Sequence, residues 1–600
     1  MSILKISNKK WLIFLIITFL ICYIPRMLFG FILIPYAVYD EGPALASAAY
    51  FSGKDWSSIS SISAYYGFGY YGLFAPLFEM TDNPYVIYFV IVQINAFVQA
   101  LYGVIAFRIM RKFLKVDNFF IVTISSCICS YLTTVRPVVY NEVPLVLLNW
   151  LIALTLCILV KIGTDSRKKN IGTLFLFGLM AYAFTIHTRS IILLLALLLL
   201  VLVYRICYEE WLISLRMIPF GIIFVVVARE CVELVQNLVW KSEDRISVAN
   251  TTINLGIDSL KIFDLTTWKS FFLVFIGQIS TINLFSGGLF IMSLYIIVKY
   301  VLLNWKALKN KSDNRYYAVL TLMFLLCCFG MIIGQAMSWM YAIYPSLQND
   351  EVGNVHAYKA FSYVRYMGAF IGPFILCSLA IIQKNKFFLK RLDIVKIVVI
   401  DLLVLILWTN YVLPLLDSNP YALEPYVPFC FRKAHDPISI EQYKAALPWY
   451  LIICNFLVLS CFTKNLKSYY VFVLGLLIFQ VSYMAKYNDS YYGEERSKTA
   501  AICYDFIEKL SNNCKVPKTL YAYNTDVQRL QFFLNNYQIE PVIPDDIVED
   551  SILIYQGKLD ELTDIDLKEW NYILLGNDVY FLFQQKEYKE YVISMGYDIL

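Results

Sequence analysis

The chain has few charged residues and very few histidines for its length. Only 16% of its 600 residues are Asp, Glu, Lys or Arg, and only 3 are His. Soluble globular proteins carry about 25% charged residues, so the deficit excludes an ordinary soluble protein. The formal net charge of +5 is small and gives no basis for nucleic-acid binding. Apolar residues make up 59% of the chain, and the mean hydropathy is +0.61, which predicts a polytopic membrane protein.

The chain also lacks the Cys and His spacing that is typical of zinc sites, although it contains 14 cysteines. Most of them lie inside apolar runs, where a buried thiol acts as a small apolar side chain. Cys503 and Cys514 instead lie in the polar C-terminal part, where a disulfide between them is one alternative to two free thiols. A cleavage site is missing after the first apolar run, so we expect an uncleaved first span.

Long apolar runs recur along the first 485 residues. A helix needs about 20 apolar residues to cross a bilayer, and the sequence holds about thirteen runs of roughly 17–25 residues. The predicted spans lie near residues 11–34, 85–107, 119–136, 143–161, 172–187, 190–206, 212–228, 276–298, 317–337, 361–383, 395–415, 447–463 and 468–485.

Basic residues gather in alternate short loops, within residues 108–115, 161–169, 299–315 and 384–396. Short loops rich in Lys and Arg stay in the cytoplasm. We therefore expect a cytoplasmic N-terminus and, with an odd number of spans, an extracytoplasmic C-terminus. The candidate chemistry, including all three histidines, falls on the outer side.

The sequence changes character after residue 485, where charge rises and apolar runs become short. Residues 519–523, 572–575 and 580–583 have strand patterns, and Gly576-Asn577-Asp578 joins the last two as a turn. Residues 526–536 and 586–595 have helical spacing. We predict a transmembrane domain over residues 1–485 and a small extracytoplasmic α/β domain over residues 486–600. The second domain has no catalytic motif, and a structural or docking cap is the interpretation we favour.

Two adjacent carboxylates, Asp40 and Glu41, follow the first predicted span. Charged groups beside a span are costly unless they have a purpose. The Ala- and Ser-rich segment after them is typical of a short helix on the membrane surface, and an aromatic run at residues 70–78 precedes the second span. A structural alternative is that Asp40 only caps the short helix.

This pattern resembles the GT-C superfamily of membrane glycosyltransferases, and within it the protein O-mannosyltransferase and lipid A aminoarabinose transferase group. The resemblance rests on the paired acids, the small-residue helix, Gly53 near Trp56, and the Tyr-, Gly- and Pro-containing run. It covers residues 1–485. It implies a GT-C-type helical fold and an enzyme that moves a sugar from a polyprenyl phosphate to an acceptor outside the cytoplasm. The cytoplasmic loops are too short for a Rossmann-like domain that would bind a nucleotide sugar.

Further positions match the family pattern at the outer ends of the spans. Phosphate is well held by Arg, which is planar and always charged. The candidate donor-phosphate ligands are Arg26, Arg189, Lys359 and Arg365. The candidate acceptor or substrate contacts are Arg136, Glu142, His187, His356 and Tyr366. For each basic residue alone, a loop charge that meets lipid headgroups is an equal alternative.

The chemistry of the transfer suggests roles for the paired acids. Asp40 would take the proton of an acceptor hydroxyl, which accelerates the reaction by about 10²–10⁴-fold. Attack by the acceptor on the side opposite the phosphate would invert the configuration of the sugar carbon. Glu41 would orient the acceptor, balance a nearby Arg, or bind a divalent cation together with Asp40. No other cofactor is expected, and the acceptor could be a glycan, a lipid or a protein.

Two other functions remain open from the sequence. A transporter or flippase of lipid-linked saccharides would require ionisable groups near the middle of several spans and internal repeats. A non-catalytic assembly partner would keep the fold without the chemistry. Transfer by the purified protein, with and without the Asp40 carboxylate, separates these functions from the enzyme.

Overall fold

The structure is a computed structural model of the chain. It describes residues 2–33, 35, 41–60, 65, 67–133, 138–163, 165–239, 263–308, 312–349, 360–361, 365–384, 391–416, 470–471, 473–475, 477–478, 490–541, 551–562 and 570–600. Four candidate site residues lie outside the described residues: Asp40, Arg136, His356 and Lys359. The predicted span at 447–463 and most of the span at 468–485 also lie outside them.

Helices dominate the first part of the chain, because in lipid a helix satisfies all of its own backbone hydrogen bonds. The helices are α1 (Ser2–Phe29), α2 (Glu41–Phe51), α3 (Ser57–Ser60), α4 (Ala75–Met80), α5 (Pro84–Lys112), α6 (Phe119–Tyr131), α7 (Glu142–Ile162), α8 (Ser166–Ile186), α9 (Ile191–Tyr208), α10 (Ile218–Val239), α11 (Leu265–Phe285), α12 (Leu289–Leu308), α13 (Ser312–Gln348), α14 (Arg365–Lys384) and α15 (Arg391–Leu407). Among the described residues, 7 helices are long and apolar enough to cross a membrane. The chain is therefore a multi-pass helical membrane protein.

Local sequence explains where several of these helices begin. The Asn83 side chain accepts hydrogen bonds from the backbone N–H groups of Tyr85 (3.0 Å) and Val86 (3.2 Å), and Pro84 occupies the first turn of α5. Asn118 and Asp165 cap α6 and α8 in the same way. The spans predicted from residues 85, 119 and 143 therefore begin within one residue of the observed helices.

Two predicted spans differ from the structure. The apolar run at 276–298 is not one helix, because a turn at residues 286–288 divides it into α11 and α12. Gly287 and Gly288 have φ angles of 62° and 83°, a left-handed conformation that ends a helix. The run at 212–228 is shifted, since α10 covers Ile218–Val239. The total of about thirteen spans remains a prediction.

The C-terminal domain contains a five-stranded sheet and three described helices: α16 (Ser490–Ser511), β1 (Thr519–Tyr523), α17 (Val527–Phe533), β2 (Gln538–Glu540), β3 (Ile552–Gln556), β4 (Asn571–Gly576), β5 (Val579–Phe583) and α18 (Lys586–Ser594). The strand order is β2-β1-β3-β5-β4. β1 is parallel to β2 and β3, whereas β5 is antiparallel to β3 and β4.

The fold of the predicted α/β domain is thus confirmed, and so is the turn that the sequence predicts after β4. Asn577 and Asp578 have φ angles of 51° and 54°, the pattern of a two-residue hairpin turn that Asn and Asp tolerate. The strands β2 and β3 had not been predicted.

Cys503 and Cys514 are both free thiols, so the disulfide alternative is wrong for this structure. Cys503 is fully buried inside α16, whereas Cys514 lies beyond the end of that helix. The Cys514 N–H donates to the Leu510 carbonyl, and Leu510 lies seven helical residues, about 10 Å, beyond Cys503, which exceeds the separation of about 7 Å that a disulfide tolerates. Burial raises the pKa of the Cys503 thiol to about 12, which keeps it protonated.

The C-terminal domain packs on one end of the helix bundle. The Phe532 ring lies 6.5 Å from Trp56 and 6.2 Å from Tyr88, and the Phe533 ring lies 5.6 Å from Tyr85. Tyr85 and Tyr88 belong to the first turns of α5. We call the end of the bundle that carries the domain the capped end, and the opposite end the distal end.

Asn535 connects this domain to the loop after α2. Its Oδ1 accepts a hydrogen bond from Lys54 Nζ, its Nδ2 donates to the Asp82 carbonyl at 2.7 Å, and its own carbonyl accepts from Trp56 Nε1 at 3.1 Å. Lys54 also forms an ion pair with Asp82 at 2.8 Å. Burial lowers the pKa of Lys54, and Asp82 opposes that shift.

Candidate active site

A buried ion pair lies at the capped end. Glu142 is the first residue of α7 and is 1% exposed, and Arg189 lies in the turn between α8 and α9. Arg189 Nη2 donates to Glu142 Oε1. Two charges at this depth are stable only as a pair, so each fixes the orientation of the other.

His187 and Tyr366 complete this group. The Arg189 guanidinium lies 4.3 Å from the centre of the Tyr366 ring, which is cation–π geometry. The Nδ1 atom of His187 accepts a hydrogen bond from the Arg189 backbone N–H at 3.3 Å, and the His187 and Tyr366 rings are 6.5 Å apart, edge to face. We call these four residues the Glu142–Arg189 cluster. The structure thus brings together four of the predicted site residues, from α7, the α8–α9 turn and α14.

The turn between α8 and α9 sets the position of His187 and Arg189. α8 ends at Ile186, the next residue His187 is extended with φ −160° and ψ 127°, and Thr188–Ser190 then form one 3₁₀ turn before α9. Ser190 Oγ donates to the Ala183 carbonyl at 3.1 Å and fastens the turn to α8. Within the described residues Arg189 Nη1 has no hydrogen-bond partner, so the guanidinium keeps a donor for an anion.

An aromatic, glycine-rich loop (residues 67–74) packs against the same helix ends; we call it the aromatic loop. The Gly69 N–H donates to the Thr185 carbonyl at 3.0 Å, and the Tyr182 hydroxyl donates to the Gly69 carbonyl at 2.7 Å. The Tyr71 hydroxyl donates to the Tyr140 carbonyl at 2.7 Å, two residues before Glu142. The loop is therefore attached directly beside the Glu142–Arg189 cluster.

Asn95 and Tyr70 also belong to this region, and neither was among the predicted site residues. Asn95 is fully buried; its Nδ2 donates to the Val138 carbonyl at 2.9 Å, and its Oδ1 accepts from the Tyr70 hydroxyl at 3.1 Å. A polar amide inside the apolar run of α5 is the signal that identifies it, since such residues need partners inside a membrane.

Arg26 lies outside the Glu142–Arg189 cluster and is 1% exposed. Its Nη1 donates to the Cys22 carbonyl at 3.0 Å and its Nη2 to the Ser130 carbonyl at 2.9 Å. Its guanidinium also lies 4.0 Å from the centre of the Tyr131 ring. These contacts join α1 to the end of α6. The phosphate-binding role that we expected for Arg26 remains a prediction.

The described residues on either side of Asp40 lie where the C-terminal domain meets the bundle. Glu41 begins α2, and the next residue, Gly42, is buried with Gln528 of α17 in van der Waals range of its Cβ position. Before Asp40, the Pro35 carbonyl accepts a hydrogen bond from Ser497 Oγ of α16 at 2.6 Å. The domain thus contacts the chain on both sides of the acids.

The other candidates are only partly placed. Arg365 begins α14 directly before Tyr366, so its backbone adjoins the Glu142–Arg189 cluster. No group of three or more His, Cys, Asp or Glu suited to a metal occurs among the described residues, which do not include Asp40. A divalent cation held by Asp40 and Glu41 therefore remains a prediction.

No protein-family model matches the chain, and no curated protein matches it. Two crystal structures of ArnT from Cupriavidus metallidurans are similar to it. The structure bound to undecaprenyl phosphate is 11% identical in sequence, with a TM-score of 0.49. The match covers 95% of this chain and 97% of the ArnT chain. The apo structure has the same identity and TM-score, 11% and 0.49, and covers 96% and 98%. ArnT is a lipid A aminoarabinose transferase, a member of the group that the sequence pattern resembles. At this identity and TM-score, the similarity alone assigns neither family nor activity.

Proposed function

We propose that this protein is a membrane glycosyltransferase that moves a sugar from a polyprenyl phosphate to an acceptor outside the cytoplasm. The observation that carries the proposal is the Glu142–Arg189 cluster. It places an oriented guanidinium at the same end of the bundle as the start of α2, where Glu41 lies. A phosphate-binding cation and a carboxylate pair at one membrane surface are the groups that this transfer needs.

The distribution of basic residues supports an extracytoplasmic site. In or beside the described connections at the capped end, the basic residues are Arg26, Lys54, Arg189, Lys269 and Arg365. The distal end holds many more in or beside its loops: Arg108, Arg111, Lys112, Lys115, Lys161, Arg167, Lys168, Lys169, Arg205 and Arg216. By the positive-inside rule the distal end is cytoplasmic, and the capped end with its domain lies outside.

In the proposed reaction the glycosidic bond to the lipid phosphate breaks as the acceptor oxygen bonds to the sugar carbon. The phosphate keeps the electron pair of the broken bond and gains negative charge. Arg189 would stabilise this charge through the Nη1 donor that Glu142 and Tyr366 leave available. Arg365, Lys359 and Arg26 are further candidates for the phosphate, and Arg136, His187 and His356 for the acceptor. Asp40 would take the acceptor proton, with inversion at the sugar carbon.

The proposal is tested by transfer from a radiolabelled polyprenyl-phosphate sugar with purified protein. We expect Asp40→Asn to reduce transfer by about 10²-fold or more, because the general base is removed. The control is Asp117→Asn at the distal end, where the carboxylate is 94% exposed, and it should transfer at the wild-type rate. Equal rates for wild type and Asp40→Asn would overturn the role of Asp40. Absence of transfer with every donor tested would overturn the proposal that the protein is a glycosyltransferase.

One observation favours a transporter of lipid-linked saccharides as the second candidate. Asp401 in α15 is 2% exposed and accepts a hydrogen bond from Asn283 Nδ2 at 2.9 Å, next to the break between α11 and α12. Interrupted helices with ionisable groups inside the membrane are typical of transporters. Movement of a labelled lipid-linked sugar across proteoliposomes, lost in Asp401→Asn and without sugar transfer, would favour this function.

A further inference from the structure

A groove on the lipid-facing surface lies at the distal end, away from the Glu142–Arg189 cluster. It has a volume of about 430 Å³ and is lined by side chains from residues 200–208 of α9, 297–302 of α12 and 318–325 of α13. Pockets of about 300–1,000 Å³ hold small ligands. This groove belongs to no part of the proposed reaction.

The groove has a closed apolar floor and an open apolar side. Leu200 and Val319 in the floor are each 1% exposed. Val203, Val298 and Leu302 on the open side are 37%, 44% and 73% exposed. Residues 200–208 rise about 12 Å along α9, so the groove runs from the helix ends towards the middle of the bundle. Its shape and direction suit a hydrocarbon chain that lies along the helices.

The end of the groove nearest the distal surface of the bundle is polar and basic. The Arg315 guanidinium lies 4.9 Å from the centre of the Tyr208 ring, and its Nη1 donates to Glu210 Oε2 at 2.9 Å. Lys169 interacts electrostatically with the same carboxylate. Arg205 follows on α9, with its guanidinium 5.4 Å from the Trp211 ring centre. The side chains in these contacts include three cations, Lys169, Arg205 and Arg315, against the Glu210 carboxylate and its chain neighbour Glu209. The net charge is complementary to a phosphate.

We propose that this groove binds one acyl chain of an anionic membrane phospholipid, with the lipid phosphate beside Arg315. The apolar floor contacts the chain, and the basic end selects the headgroup. Basic sites between membrane helices on the cytoplasmic side recognise lipid headgroups in this way. The site is independent of the proposed transfer, so its test does not depend on activity.

Native mass spectrometry of the purified full-length protein tests the headgroup contact with phosphatidylglycerol and phosphatidylcholine of identical chains. One phosphatidylglycerol should bind more tightly than phosphatidylcholine, and Arg315→Gln should weaken it by about fivefold, the effect of one cation near a membrane surface. Arg315→Lys keeps the charge and should keep the preference. Arg108→Gln is the matched control, because Arg108 is exposed at the same end of the bundle. Equal binding by wild type and Arg315→Gln would overturn the proposal.

The groove itself is tested by filling it. Val203→Trp should reduce the bound phosphatidylglycerol, whereas Leu199→Trp, on the same helix and 51% exposed outside the groove, should not. Equal retention by both variants would overturn the proposal, and so would a dimer that Val203→Trp abolishes, since a second copy would then fill the groove. In the wild type, phosphatidylglycerol should slow alkylation of Cys207 in the groove relative to Cys231 on α10. An unchanged ratio of the two rates would also overturn it.

Discussion

At the scale of single residues, the Glu142–Arg189 pair has a structural cost as well as a proposed role. Its side chains are 1% and 12% exposed, so both charges have lost most of their water. Their attraction roughly balances that desolvation, whereas removal of one partner leaves the other buried and uncompensated. Replacement of both side chains should therefore cost less stability than replacement of one of them, and this difference is measurable.

We predict that Glu142→Gln lowers stability more than loss of the whole pair. The single change should cost about 3–5 kcal/mol, because Arg189 stays buried as an unpaired cation. The double variant Glu142→Gln with Arg189→Met should unfold at a higher temperature than Glu142→Gln alone, yet show no sugar transfer. Thermal unfolding in detergent and the transfer assay measure the two effects separately.

The control for this prediction is the Arg229–Glu233 pair of α10, whose side chains are 64% and 51% exposed. Exposed ion pairs contribute about 0–1 kcal/mol, so Arg229→Gln should change neither stability nor transfer. A double variant with full wild-type transfer would show that the pair is only structural, and would remove Arg189 from the proposed phosphate site.

The sequence predicts the members of this cluster but not their contacts. Glu142, His187 and Arg189 lie at the ends of apolar runs, and alternation of the spans places those ends on one side. Tyr366 came from the family pattern beside Arg365. That the Tyr366 ring lies under the Arg189 guanidinium depends on how α14 packs, and no local pattern encodes that. Asn95 was missed because its apolar neighbours in α5 dominate the hydropathy of the span.

At the scale of elements, the aromatic loop is hydrogen-bonded to the end of α8 and to Tyr140, just before α7. Gly67 has a φ of +131°, and a Cβ there would lie 2.3 Å from the Thr185 carbonyl oxygen. A Cβ on Gly69 would lie 2.0 Å from Thr185 Oγ1. Gly67 cannot be replaced without displacing the loop, because the obstruction there is backbone, whereas at Gly69 the Thr185 side chain is the nearest obstruction.

We predict that Gly67→Ala destabilises the protein by more than about 1 kcal/mol and lowers sugar transfer. The added methyl group both disfavours the positive φ and collides with α8, which moves His187 and Arg189. Gly178→Ala is the matched control, since it lies in α8 with no atom within 4 Å of the new Cβ. There Ala should be neutral or stabilising by up to about 1 kcal/mol. Thermal unfolding of both variants measures the difference in stability. Equal unfolding midpoints would contradict the proposed role of the aromatic loop in holding the end of α8.

Sequence patterns identify elements well where one signal dominates. The starts of α5 and α7 follow from an Asn-Pro cap and an acidic first turn, and β1, β4 and β5 from short aromatic runs. The pattern fails where two signals compete. Gly287-Gly288 lies within a continuous apolar run, so hydropathy alone merges α11 with α12. β3 is a short apolar run after an acidic segment, and periodicity does not distinguish it from a buried helical turn.

At the scale of the whole molecule, the C-terminal domain and the bundle share one apolar core. Phe532 and Phe533 of the domain pack among aromatic residues of the bundle, and Asn535 adds polar contacts at the edge. Asn535 is 2% exposed, so the bonds of its side chain are shielded from water. The same domain contacts Pro35 and Gly42, on either side of Asp40. Its docking therefore holds the two described residues that flank the proposed base on either side.

We predict that Asn535→Ala weakens docking and lowers sugar transfer without unfolding the bundle. The change removes the bonds to Lys54 Nζ and to the Asp82 carbonyl and leaves the backbone bond to Trp56, a loss of about 1.5–3 kcal/mol for a hydrogen bond to a charged group. Hydrogen exchange should increase in peptides that cover residues 30–51 and 527–540, while peptides of α7 and α8 keep wild-type exchange. Asn512→Ala, at an exposed position just beyond α16, is the control. If transfer falls while exchange at 30–51 stays at the wild-type level, the domain acts by another route than restraint of the Asp40 segment. If neither changes, the domain is a passive cap, as the sequence first suggested.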